Sequence, residues 1–255
     1  MDRSDLVNDA ERRLWDAFAH GEVVRLGEGD PVEAEFDPGG WSPERSVRGE
    51  VIARLMLGVR PPEAGYTAKL ILEGARITGH LDLSGADLAH ELLVRHCWFD
   101  ERLDLTDTVT RSVELYSCRL PGIGARGWQA QGQVSLRRSR IDGELDLLGA
   151  RMAGQVSLRD AKLSHPEGNA LMADNAIVEG SMYLDIGFEA EGKIRLAGAR
   201  IGGILCFDRA KLTNAGDDAM TLDNARIGQN CFCRDGFTAT GQIRMLGAYV
   251  EGQLS

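Results

Sequence analysis

The chain has 255 residues, 43% of them hydrophobic, and 29 basic against 39 acidic side chains give it a formal charge of −10. This describes a packed, soluble chain with room for one long domain and small additions, and its acidic balance argues against unspecific nucleic-acid binding. No run approaches the roughly 18 apolar residues of a membrane helix, no charged-then-apolar start suggests secretion, and five scattered cysteines fit small core residues in a reducing cytoplasm.

At the N-terminus Leu6, Ala10, Leu14 and Phe18, with Val7 and Trp15 beside them, keep helical spacing and stop at Gly21, which predicts a first helix. Glu28, Asp30, Glu33, Glu35 and Asp37 then form an acidic loop with no compensating base. Ser42-Pro43-Glu44 has the signature of a second helix start, with Val47, Val51, Leu55 and Met56 as its apolar stripe before Gly58 and Pro61-Pro62. Residues 1–72 are thus expected to form a helical cap over whatever follows. The other reading is a ligand module, in which Arg45 and Arg48, with Arg54 and beside Trp41, hold a phosphate or carboxylate.

From residue 73 to 255 the chain repeats a unit of about eleven residues. The first copy is Ala75, Ile77, Gly79, Leu81 and Leu83, and the next begins with Ala86 and Leu88. The small slot recurs as Cys97, Cys118, Ser139, Ala150 and Ala161, and the apolar pair as Leu145 with Leu147, Val156 with Leu158, and Cys231 with Cys233. A unit this small cannot bury its apolar face alone, so copies must stack as a solenoid. Spacing of two is strand spacing, with the paired residues inward and the one between them outward, and the glycine marks a corner. Two units close a square coil of about 22 residues. Seven or eight coils at about 4.8 Å per rung then give a rod roughly 35 to 40 Å long. No helix is expected here, and Cys97 and Cys118 should be neighbours on adjacent coils.

A longer period of 49 residues relates the segment from Leu163 to that from Leu212. It predicts insertions, near 164–174 and 213–223, that bulge from one side, either tolerated or used for binding. Chemistry is sparse. The five histidines lack metal-ligand spacing, Cys231-x-Cys233 falls in a core slot, and no phosphate loop or nucleophile elbow occurs, so no catalytic residue, metal or cofactor is assigned. Outward positions hold Asp82, Asp104 and Asp146. These form either a solvated stripe or stacked carboxylates facing a cation or basic partner.

The Ala-x-Leu steps, small inward residues and square coil resemble the bacterial pentapeptide-repeat proteins. That resemblance implies a right-handed quadrilateral β-helix with a small N-terminal α-helical cap, although the unit here is eleven residues and not two fives. Trp41, Arg48 and the phrase GARITGHLDLSGA from Gly74 to Ala86 are also similar to actinobacterial proteins labelled membrane-associated oxidoreductase. That similarity implies a redox reaction and C-terminal membrane helices, for which this sequence carries no motif.

Three functions follow as expectations. The first is a non-catalytic scaffold or protein-recognition rod. The second is an acidic DNA mimic that binds a nucleic-acid enzyme, as some pentapeptide-repeat proteins do. The third is an enzyme, either the labelled oxidoreductase or a β-helix hydrolase or lyase. The sequence ends partway through a unit, at Gly252 and Leu254. This predicts either a fragment or self-association as a homodimer through the last coils, with Phe232, Phe237 and Leu254 as contact candidates.

Overall fold

The computed structural model describes residues 2–33, 39 and 41–255 and is a β-solenoid of about 8 turns with two α-helices near its N-terminal end. Every strand pairing in it is parallel, and successive coils repeat at steps such as Val113, Val134 and Val156. Face one is a nine-stranded sheet that begins with β1 (Val23–Arg25) and β3 (Leu70–Glu73) and ends at Cys231–Phe232. Faces two and three belong to one 13-stranded sheet. Face two starts with β2 (Ser46–Arg48) and β4 (Arg76–Thr78), face three with β5 (Leu81–Asp82), and the long strands Lys162–Met172 and Lys211–Thr221 fold the sheet around the corner between them. Face four has seven strands, from Val109–Thr110 to Tyr249–Val250. The rod is therefore four-sided.

The expected register holds in the interior. Leu145, Leu147, Val156 and Leu158 are all buried, as are Cys97 and Cys118, which sit on adjacent rungs where the Arg119 amide donates to the Cys97 carbonyl at 3.0 Å. Both thiols are free, and burial pushes Cys97 up to about 12. The insertions also lie where the 49-residue period puts them. Lys162–Met172 and Lys211–Thr221 flank Glu189–Arg195 in one sheet, and the pairing register slips between Ser164 and Asn169 and again between Thr213 and Asp218.

Three expectations need correction. The second helix does not start at Ser42. Pro43–Arg45 is a single 3-10 turn, Ser46–Arg48 is a strand, and only Gly49–Met56 is α-helical (α2). The reason is the register Val47 to Ile77: pairing β2 on β4 closes the first rung of face two, and β1 does the same for face one. The solenoid's first strands thus lie inside residues 1–72, and α1 (Asp9–Phe18) and α2 pack against that coil. Second, not every residue between the paired ones is exposed, since Asp146 is 3% and Ser157 4% accessible. Third, several repeat glycines serve space and not backbone freedom: a Cβ on Gly154 would stand 2.7 Å from the Gly132 carbonyl of the coil before.

Gly79, Gly192 and Gly241 do use positive φ, as a corner glycine is expected to, and positive φ also falls on the residue before each small slot. The corner after face three uses Gly85, Asp107, Gly127, Gly149 and Asn175, residue types that tolerate the left-handed region. The corner after face one uses Gly74 and then His96, Ser117, Arg138 and Asp160, with φ of 50°, 52°, 56° and 57°. Of these, His96, Ser117 and Arg138 cost roughly 1–2 kcal/mol each in that conformation. This strained corner is where the N-terminal loop lies.

Candidate functional site

Residues 26–33 run as a strap along the corner after face one, crossing the rungs instead of joining them. The strap starts at the first coil, where the Leu26 amide donates to the Glu73 carbonyl at 2.9 Å. It passes over Gly74 so closely that a Cβ there would stand 2.1 Å from the Gly27 carbonyl. Two coils further on, the buried Ser117 hydroxyl donates to Asp30 at 2.8 Å, and Arg138 of the next coil donates to the other carboxylate oxygen at 3.3 Å. Asp30 also accepts from the Val32 amide at 3.3 Å, which folds the strap into a turn with Pro31 buried beneath it. Glu33 then lines a groove of about 220 Å³ with Arg138, Asp160 and Lys162. A second cavity of about 410 Å³ lies between the strap and Arg25, Glu73 and His96. The amides of Gly27, Glu28, Gly29 and Asp30 donate no hydrogen bond among the described residues. Side chains, and not a backbone ladder, hold this segment down. Of the expected acidic loop, Glu35 and Asp37 lie outside the described residues.

The arginines nominated as an anion site serve this same region. Arg45 stacks on Trp41 at 3.9 Å and donates to the carbonyls of Gly74 (3.1 and 2.9 Å) and Glu28 (2.9 Å), clamping the strap where it leaves the first coil. Burial pulls its guanidinium below its usual value. Arg48 already has its carboxylate: it donates to Glu11 of α1 at 2.7 and 2.8 Å and to the Asp5 carbonyl at 3.0 Å. Burial alone would raise the fully buried Glu11 carboxyl. The bonds from Arg48 and from the Val7 and Arg48 amides outweigh that and hold it below the ordinary range. Arg54 faces solvent beside Glu50, one turn away on α2.

Asp82, Asp104 and Asp146 do share face three, but they form no continuous acidic row. Gly124 stands between Asp104 and Asp146 in register, and the Arg102 guanidinium fills the space over it. Each carboxylate is turned to its own corner, where the amides of Ser84, Thr106 and Leu148 donate to it, and Asp146 is further paired with Arg126. The Ser84 hydroxyl and amide hold Asp82 below the usual carboxylate range. The aspartates are therefore corner-makers of the Asx kind, a role that the recurring Leu-Asp-Leu phrase signals in retrospect. Among the described residues no group of three or more His, Cys, Asp and Glu side chains is placed to hold a metal.

At the far end, Phe237 is half-buried edge-on against Phe207, and Phe232 carries the Arg234 guanidinium 3.6 Å over its ring. Leu254 is open at 58%, as are Leu246 (67%), Tyr249 and Ile243, the last at an inward repeat position left uncovered here. Cys231 and Cys233 point inward as expected, and Cys231 is pushed up by its hydrogen bond with Cys233 and by burial.

No protein-family model, curated protein or solved structure matches this chain at a meaningful level. The class that its architecture defines is the β-solenoid. Among the described residues no helix is long and apolar enough to cross a membrane.

Proposed function

We propose that the chain is a non-catalytic recognition rod that holds extended acidic polypeptide segments lengthwise along the corner after face one. The supporting observation is the strap: a segment carrying Glu28, Asp30 and Glu33 lies across successive coils, held chiefly by Ser117, Arg138 and Arg45. A strained corner that pays conformational energy at His96, Ser117 and Arg138, on three successive rungs, is the kind of place where function is kept at the expense of stability. The partner is then a protein met in the bacterial cytoplasm, where the free, buried cysteines stay reduced, and the rod is a right-handed relative of the pentapeptide-repeat solenoids.

The DNA-mimic reading has less support, because the aspartates of face three are divided by Gly124 and spent on corners. The oxidoreductase label rests on the sequence resemblance alone. Self-association through the last coil is part of the proposal, supported by the exposure of Ile243, Leu246, Tyr249 and Leu254. Light scattering tests it, with a dimer expected and a strict monomer at high concentration contradicting it.

A fluorescein-labelled peptide copying Leu26 to Glu33 tests the rod reading. In Asp30→Ala the resident strap is loosened, so the peptide should bind in trans. The native chain should bind it far more weakly, because its own strap competes at high effective concentration. If neither protein binds the peptide, the corner is not a recognition site.

A further inference from the structure

Arginines on three sides of the rod are matched to a carboxylate on a neighbouring rung. On face one Arg95 meets Glu114 and Arg159 meets Asp185; on face two Arg76 meets Asp100 and Arg119 meets Asp142; on face three Arg195 meets Asp174. Face four breaks this pattern. Its outward row runs Gln129, Arg151, Ile177, Arg200, Arg226 and Tyr249 in direct register. Arg151, Arg200 and Arg226 are all exposed, and none of their guanidinium groups has an ion pair or hydrogen bond among the described residues.

Arg200 and Arg226 are directly paired rung to rung, about 4.8 Å apart at the backbone. Like charges placed so oppose the sheet they sit on. In a chain with ten more acidic than basic groups, a carboxylate neighbour is an easy solution that many arginines of the other faces adopt, Arg102, Arg137 and Arg209 excepted, and that Arg151, Arg200 and Arg226 do not. Around Arg151 the face is also concave, with a groove of about 220 Å³ lined by Val109, Gln129 and Ile177 and bounded by one carboxylate, the exposed Glu179. Arginine forks, a tyrosine, glutamines and aliphatic side chains on one flat surface are what protein interfaces enrich.

We infer that face four is a second docking surface, for an extended polypeptide that alternates carboxylates with apolar side chains. Carboxylates meet Arg151, Arg200 and Arg226, and apolar residues meet Val109, Ile177 and the Tyr249 ring. A polypeptide fits better than a nucleic acid, because a phosphate backbone has no use for Ile177 and Val109 beside the arginines. The inference builds on the reading of the chain as a recognition rod but uses a face that the strap does not touch.

The test uses the whole chain, a short fluorescein-labelled peptide of alternating glutamate and leucine, and fluorescence anisotropy. The triple variant R151E/R200E/R226E should bind the peptide at least about tenfold more weakly than the native chain. Lys211→Glu, on face two, should bind it as the native chain does. Thermal melting keeps the result interpretable: because these arginines have no internal partner, Arg226→Glu should melt at or above the native temperature. Three results overturn the inference. The peptide fails to bind, the triple variant binds it unchanged, or an oligothymidylate competes better than unlabelled peptide. Unchanged binding by the triple variant, with loss in Arg138→Glu, would move the docking surface to the strap corner and leave the rod reading standing. No binding of any peptide at either surface would remove both.

Discussion

The first and last described coils are covered to different extents. At the N-terminal end the first coil is covered by α1 and α2, completed by β1 and β2, and tied by Arg48 to the fully buried Glu11 and by Arg45 to the strap. At the C-terminal end the same inward slots are only half-buried: Met245 and Val250 pack against the core from one side, and Ile243, in register with the buried Met220, is 43% exposed. Burial in a solenoid is thus borrowed from the neighbouring coil, and the repeat unit alone does not supply it.

Equivalent substitutions along the rod should expose that gradient. In the middle, Leu147→Asp places an unpaired charge between two full coils and should cost about 4 kcal/mol or more in denaturant unfolding. A variant that unfolds like the parent would break the register. At the covered end, Glu11→Ala strands the Arg48 guanidinium and should cost about 3 kcal/mol. The lowered Glu11 carboxyl also sets a pH dependence. Its contribution is complete above the ordinary glutamate range near pH 4.3 and is lost as pH falls through the lower native value, so acid unfolding of Glu11→Gln should be shallower than that of the native chain. On the strap, Asp30→Ala leaves the buried Ser117 hydroxyl without its acceptor and should cost about 1–2 kcal/mol. At the open end, Met245→Ala should cost under about 1 kcal/mol, because half of its surface already faces away from the core. A cost at Met245 equal to that of a buried methionine would mean the last coil is covered in solution.

The interior was legible because period-two apolar pairs and a small slot recur at a fixed step, so Leu147, Cys97 and the 49-residue insertions fall where the pattern puts them. What stayed hidden was local and short. Val23–Arg25 and Ser46–Arg48 are three-residue strands with no alternation of their own, stabilised by pairing with Ile71 and Ile77. The helix signature at Ser42 is real, but it produces a single 3-10 turn because Val47 is worth more in the first rung than on a helix face. The candidate site was legible only as residue types. Trp41 and Arg45 do act together, yet on the chain's own strap. Asp82 and Asp104 do stack, yet each is spent on its own turn. The left-handed corner after face one escaped notice because His96, Ser117 and Arg138 occupy positions where glycine would have signalled it.

Hydrogen exchange on the native chain tests most directly whether the strap is a displaceable occupant of that corner. The amides of residues 27–30 should exchange orders of magnitude faster than those of His96, Ser117 and Arg138 beneath them, which donate to carbonyls of the next coil. Strap amides as protected as these rung amides would contradict the account, since they would make the segment a fixed part of the fold.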